Sequence, residues 1–278
     1  MLPIILVHGI ARFDVLSQAI GDRLGFPDGW NDHHHYFKGI KAYLEGNGVG
    51  PVRHSHQDFA GSVDLRAEQL SEQVREFCLE FDVPKVHLIA HSMGGLDARH
   101  AIADFGASTN IATLTTIGTP HLGTVLADRV LGHGGQFLVH VLENVLDLRG
   151  VADLTIKACQ TFNSRVEGVE AMNGIPYSFW SSSENFDRMF FPLISSGLLI
   201  TKLAGPNDGL VPVSSQLGNS APHVSQHPFP FPADHLNEVG WWDPSESAGD
   251  AIEGGMPTSS EAYELQVKDL YLAIARGL

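Results

Sequence analysis

The sequence is poor in cysteine, in basic residues and in long apolar runs, and each shortage removes a class of protein. Two cysteines in 278 residues cannot staple a disulfide scaffold, and with no C-x-x-C, H-E-x-x-H or G-x-x-x-x-G-K pattern there is no thiolate zinc centre, zincin helix or phosphate loop to read. Stability must therefore come from a buried core. Seventeen Lys and Arg stand against 32 Asp and Glu, a formal charge of -15, which disfavours nucleic acid or an anionic membrane surface as a partner. No stretch approaches the ~18 apolar residues of a membrane span. The start, Met1-Leu2-Pro3-Ile4-Ile5-Leu6-Val7, lacks a basic n-region and a cleavage site, so the expectation is a cytoplasmic protein as written, or one secreted by a leaderless route.

What is present is an alternation of strand-like and helix-like segments, the pattern of a mostly parallel sheet covered by helices on both faces. A chain of this length can bury its core as one α/β domain, here residues 1–278. Strands are expected at Ile4 to Val7, Val52 to His56, Val86 to Ala90, Ile111 to Gly118 and Thr201 to Ala204. Helices are expected from about Asp64 to Asp82, after Gly94, and from Ser259 or Ser260, as N-cap, to Arg276. Cys78 shares a helical face with Leu70, Val74, Phe77 and Phe81, and Cys159 is spaced likewise with Phe162 and Val166, so both read as core residues.

The alternation breaks after Val125. Leu138, Val141, Leu142, Val145 and Leu148 fall on one helical face behind Gly132-His133-Gly134-Gly135, which suits either a helical lid at about 125–150 or an ordinary core helix. A second apolar piece, within about 186–200, could cap the same cleft.

The most informative stretch is Lys85 to Gly95, a buried apolar strand that stops at a serine and restarts as a helix. Ala90-His91-Ser92-Met93-Gly94 is the nucleophile-elbow pattern, with alanine where glycine usually stands first. Small residues flank the serine because the turn brings the two backbones close. Ser92 is the candidate nucleophile, but a serine hydroxyl reacts poorly near neutral pH without a histidine to take its proton and a carboxylate to fix that histidine's tautomer.

In this kind of fold the acid follows the serine and the base follows the acid, each at a strand end. Asp208, in the turn Gly205-Pro206-Asn207-Asp208-Gly209, is the candidate acid. His235, which opens His235-Leu236-Asn237-Glu238, is the candidate base among 15 histidines, with His223 and His227 as competitors. His121 precedes the acid and is expected to shape the substrate pocket instead. The backbone N–H groups of Met93 and of Ile10, in the His8-Gly9-Ile10 turn, are the expected oxyanion donors. His33-His34-His35 reads as a solvated or cleft-lining loop, since adjacent side chains rarely converge on one ion.

Six segments together resemble the bacterial true lipases of the Pseudomonas and Burkholderia type, within the α/β-hydrolase superfamily. They are Pro3 to Ile10, Arg66-Ala67-Glu68-Gln69-Leu70, Pro84 to Gly95, Gly118-Thr119-Pro120-His121, Asn207 to Val211 and His235-Leu236-Asn237-Glu238. The resemblance covers most of the chain. It implies the α/β-hydrolase fold, a triad of Ser92, Asp208 and His235, a lid after His121, and esterase or triacylglycerol lipase activity in lipid degradation with no required cofactor. It also implies a structural calcium site, for which Asp187 and Asn237 are the candidate ligands, although Asn237 brings no charge where the family has an aspartate.

The function expected is serine-dependent hydrolysis of carboxylic esters with apolar acyl chains, the substrate a lipid or other apolar ester, taken from solution or from an oil–water interface. The alternatives are a short-chain carboxylesterase, an acyltransferase or thioesterase on the same fold, and, furthest away, a catalytically silent binding protein. Oligomeric state is not written in the residues.

Overall fold

The computed structural model describes residues 1–10, 35–58, 61–132, 148–241 and 260–278. His33, His34, His133 to Gly135, Leu138, Val141, Leu142, Val145 and Ser259, each named above, lie outside the described residues.

Among the described residues, six strands form one all-parallel sheet in the order β2-β1-β3-β4-β5-β6. They are β1 (Ile4–Val7), β2 (Val52–His54), β3 (Val86–His91), β4 (Ile111–Ile117), β5 (Tyr177–Ser181) and β6 (Val224–Pro228). β1 and β3 are central and buried on both faces, which explains why they read as unbroken apolar runs. Alternation then assigns residues to two cores. Ile4, Leu6 and Ile89 face one, with Tyr263 and Tyr271, while Ile5, Val7, Leu88 and Ala90 face the other, with Leu70, Val74 and Phe77.

The described helices are α1 (Ile40–Gly46), α2 (Val63–Glu80), α3 (Met93–Asp104), α4 (Val125–Leu131), α5 (Ile156–Met172), α6 (Ile194–Ala204), α7 (Val213–Leu217) and α8 (Ser260–Arg276). Ser62 caps α2 by accepting the Leu65 N–H, and Thr155 caps α5 by accepting that of Ala158. Val63, Ala67, Leu70, Val74, Phe77 and Cys78 give α2 its buried stripe. Both cysteines are free and buried, in helices α2 and α5.

Thr201 to Ala204 is not a strand. It is the last turn of α6, whose buried side carries Ser196, Gly197 and Ile200 at helical spacing. A short apolar run fits a buried strand or a helix equally well, and here the longer period governs. Of the expected lid, Val125–Leu131 is helical and ends at Gly132, and the chain re-enters the description as a 3-10 turn, Leu148–Leu154. Strand β6 offered no sequence signal, since its residues Val-Ser-Gln-His-Pro line an edge with little burial.

Candidate active site

Strand β3 ends at His91, and the next residue turns the chain with φ 57° and ψ -135°. Ser92 is one of two described non-glycine residues with positive φ, a backbone strain of about 1–3 kcal/mol that persists only where surroundings enforce it. They do so here. The Ser92 N–H donates to the Ile117 carbonyl, and the Ser92 carbonyl accepts from the Thr119 hydroxyl. A Cβ on Gly94 would lie 2.7 Å from the carbonyl oxygens of both Val7 and His8, and one on Gly95 would collide with Thr119. Gly94 is therefore the condition for packing α3 against the end of β1, and Gly95 for packing it against Thr119 beyond β4.

The serine hydroxyl lies 2.8 Å from His235 Nε2, and His235 Nδ1 lies 2.7 Å from Asp208 Oδ2. Since a carboxylate accepts, Nδ1 carries the proton and Nε2 is left to accept from Ser92. All three residues are more than nine-tenths buried. Asp208 is held from both sides, because Oδ1 accepts the N–H groups of Leu210 and Val211 while Oδ2 also accepts from the Gln216 amide at 3.1 Å. Asn207 fixes the turn by donating to the Gly197 and Gly205 carbonyls and accepting the Gly209 N–H. The histidine loop is tied back to it through the His235 N–H, which donates to the Asp208 carbonyl.

The turn after β1 comes close on the other side of the serine. A Cβ on Gly9 would lie 2.8 Å from that of Ser92, so the backbone of Gly9-Ile10 faces the nucleophile directly. Met93 opens α3, and the first N–H groups of a helix have no partner within it. Arg66, fully buried, holds the turn in place. It pairs with Asp97 at 2.6 Å and donates to the carbonyls of His8 and Asp58, both at 2.7 Å. Burial and the Arg66 charge push the His8 imidazole down to about 3, so it stays neutral beside the site.

Ser92 and His235 open into a narrow cleft whose other walls are apolar, from Ile10, Leu126, Val130, Val151, Leu154 and Leu210 among others. Its cavity volume is about 30 Å³, far below the ~300 Å³ at which small-molecule pockets usually begin.

His121 does not line this cleft, contrary to the sequence expectation. Its ring bonds Thr116 at 2.8 Å and Arg99 at 3.3 Å, stacks on Phe179, and borders a separate polar cavity of about 690 Å³. A strand-end position predicts proximity but not the side to which a ring turns. Burial, then the Arg99 charge, hold it well below the usual imidazole range. His223 borders that same cavity, and His227 in β6 stacks on Trp180 of the neighbouring β5, so neither competitor takes the place of His235 beside Ser92.

The calcium ligands are not assembled either. Asp187 is exposed, and the Asn237 amide is engaged at both ends, accepting the Asp234 N–H and donating to the Trp241 carbonyl. A hard cation needs several oxygens converging on one point, which these two residues do not supply. Asp234 does the tying instead. Its carboxylate accepts the N–H groups of Leu236, Asn237 and Phe190, joining the histidine loop to the segment before α6, although burial pushes its pKa up to about 6.

Sequence reasoning passed over Arg66, Gln216, Asp234, Tyr36, Ser182 and the pair His91 and Glu238. Two of these lay in plain view, His91 inside the elbow pentapeptide and Glu238 in His-Leu-Asn-Glu. Arg66 opens one of the segments that carry the resemblance, but nothing in it marks the pairing with Asp97; the others come from distant segments and carry no local pattern.

Comparison with known proteins places the chain among sequences and structures of lipase and esterase description. Residues 49–173 match the family model described as "Putative serine esterase (DUF676)". The chain is 28% identical over 256 residues to triacylglycerol lipase 2 of Saccharomyces cerevisiae, covering 87% of this chain and 73% of that protein. It is 28% identical over 245 residues to a triacylglycerol lipase of Vibrio cholerae, covering 77% of this chain and 73% of the relative. Among solved structures it superposes on the mature Bacillus licheniformis lipase BlEst2 with a TM-score of 0.61 at 22% identity, over 84% of this chain and 85% of the other. The chain thus has the α/β-hydrolase fold, and its relatives support a hydrolase of the lipase and esterase kind.

Proposed function

We propose that this protein hydrolyses carboxylic esters with apolar acyl chains through a covalent acyl-enzyme. The observation that carries the reading is the unbroken Ser92–His235–Asp208 relay at 2.8 and 2.7 Å, set on a strained elbow. As His235 Nε2 takes the hydroxyl proton, Ser92 Oγ attacks the ester carbonyl. The resulting oxyanion sits against the backbone N–H groups of Ile10 and Met93, each worth ~3 kcal/mol in such sites. Collapse expels the alcohol, which takes the proton back from His235. Water then repeats the cycle and frees the acid and Ser92.

Triacylglycerol is the substrate that the names of the yeast and Vibrio relatives suggest, and the apolar cleft suits it. The small free volume favours a second reading, a short-chain carboxylesterase, because a long acyl chain enters only if the cleft wall around Leu126 and Val130 moves. Hydrolysis of p-nitrophenyl esters from acetyl to palmitoyl, with and without an emulsified interface, separates the two. Preference for long chains supports the lipase, and preference for acetyl or butyryl supports the esterase. If no ester of the series is cleaved by the folded protein, both readings fail.

A further inference from the structure

Behind the triad runs a second buried chain of hydrogen bonds. The Gly9 backbone donates to the Tyr36 hydroxyl, whose oxygen lies 2.7 Å from His91 Nδ1. His91 Nε2 lies 2.8 Å from Glu238 Oε2, Glu238 Oε1 lies 2.5 Å from Ser182 Oγ, and Ser182 Oγ lies 2.8 Å from the Ala233 carbonyl. Tyr36, His91, Glu238 and Ser182 are each more than nine-tenths buried. The chain thus joins the Gly9 turn, the nucleophile elbow and the histidine loop.

Counting hydrogens fixes its direction. Ser182 has one hydroxyl hydrogen and two oxygen partners, Ala233 and Glu238. A carbonyl oxygen can only accept, so Ser182 donates to Ala233 and Glu238 must donate to Ser182. An ionised Glu238 could not do this, and would leave two acceptors facing each other without a hydrogen. With Glu238 protonated, every link has one donor and one acceptor: Gly9 to Tyr36, Tyr36 to His91 Nδ1, His91 Nε2 to Glu238, Glu238 to Ser182, and Ser182 to Ala233.

We infer that Glu238 is a neutral carboxylic acid that positions the oxyanion turn, the elbow and the histidine loop relative to one another through Tyr36, His91, Ser182 and Ala233. Its surroundings fit. Gly118 has φ 59°, and any Cβ there would collide with the Glu238 carboxyl. The titratable groups acting on it are His91, His235 at 3.7 Å, Asp208, Asp234, Tyr36 and Tyr271, among which the neighbouring aspartates disfavour a further negative charge. Burial, foremost, and the Asp208 charge hold its pKa well above the usual carboxylate range, favouring the protonated form. Neutrality also leaves the His235 Nδ1 proton to Asp208 alone, where a second anion would compete for it and hold the imidazolium after proton transfer.

Glutamine reproduces a protonated glutamate, its carbonyl accepting from His91 and its amide donating to Ser182. Glu238→Gln should therefore keep kcat within about threefold and leave the pH profile of kcat/KM in place, whereas Tyr36→Phe, which cuts the chain at the Gly9 turn, should lower kcat about tenfold with KM little changed. If Glu238 acts as a carboxylate, Glu238→Gln instead loses activity by orders of magnitude or displaces the pH profile, and the inference is wrong. Infrared difference spectra between wild type and Glu238→Gln give a readout free of catalysis. The wild-type protein at neutral pH should show a protonated-carboxyl carbonyl band that the variant lacks, and absence of that band overturns the assignment. The positioning role rests on the serine-hydrolase reading, but the infrared result stands whether or not an ester is cleaved.

Discussion

Gly94→Ala tests the packing of the elbow helix against the oxyanion turn, because two effects of known size oppose each other there. In an exposed helix the change would stabilise by about 1 kcal/mol. At position 94, however, the new methyl would lie 2.7 Å from two backbone oxygens, Val7 and His8, where carbon–oxygen contacts normally begin near ~3.3 Å. Neither oxygen can swing away. Val7 is paired within the central sheet, and Arg66 grips the His8 carbonyl at 2.7 Å. Overpacking of this kind reaches ~3 kcal/mol, so the net loss should be about 2 kcal/mol and the fall in Tm about 5 °C. Since the clash bears on the His8 carbonyl, directly before the Gly9-Ile10 turn, even a small displacement there misplaces the donor, and kcat should drop at least about tenfold. Gly168→Ala is the control. That glycine lies exposed in α5 with nothing within 4 Å of the added methyl, and should gain about 1 kcal/mol with activity unchanged. Urea unfolding and steady-state kinetics on both variants decide the matter. A Gly94→Ala protein as stable and active as wild type would refute the close approach.

Three further outcomes follow from the same geometry. Asp208→Asn should leave the fold intact and lower kcat by about four orders of magnitude, as the amide turns His235 to the wrong tautomer; activity near wild type would remove Asp208 from the relay. The His8 ring, at about 3 against 6.5 when exposed, binds its proton in the unfolded chain first, so its contribution to stability is complete above pH 6.5 and is lost as pH falls toward 3. Between pH 7 and pH 5 the loss should be about 2 kcal/mol, and His8→Asn should show a correspondingly shallower drop in urea unfolding; an unchanged drop contradicts the buried neutral ring. Chelation with EDTA should leave Tm and activity unchanged, because Asp234 already ties the histidine loop to Phe190. A fall in either would restore calcium to that loop.

The parts of this site that could be read from the sequence are those where sterics or order leave few choices. The elbow is legible because Gly94 and Gly95 have no room for a side chain, and Asp208 and His235 because acid and base follow the serine in a set order. The central strands are legible as well, being apolar on both faces. The edge strand β6 is not, for it buries little, and α6 was misread because its apolar residues suit either period. Side-chain direction was the other gap. His121 ends near a strand but turns toward Arg99. Glu238 meets His91 across 147 positions, a contact that only the folded sheet creates.

The most direct test of the central claim is covalent labelling by a fluorophosphonate, read by mass spectrometry of the intact protein and its peptides. One adduct per chain on the peptide carrying Ser92 is expected, matched by loss of ester hydrolysis, with no label and an unchanged fold in Ser92→Ala. A folded protein that takes no label, takes it on another residue, or hydrolyses esters without Ser92 would contradict the assignment of this serine as the nucleophile.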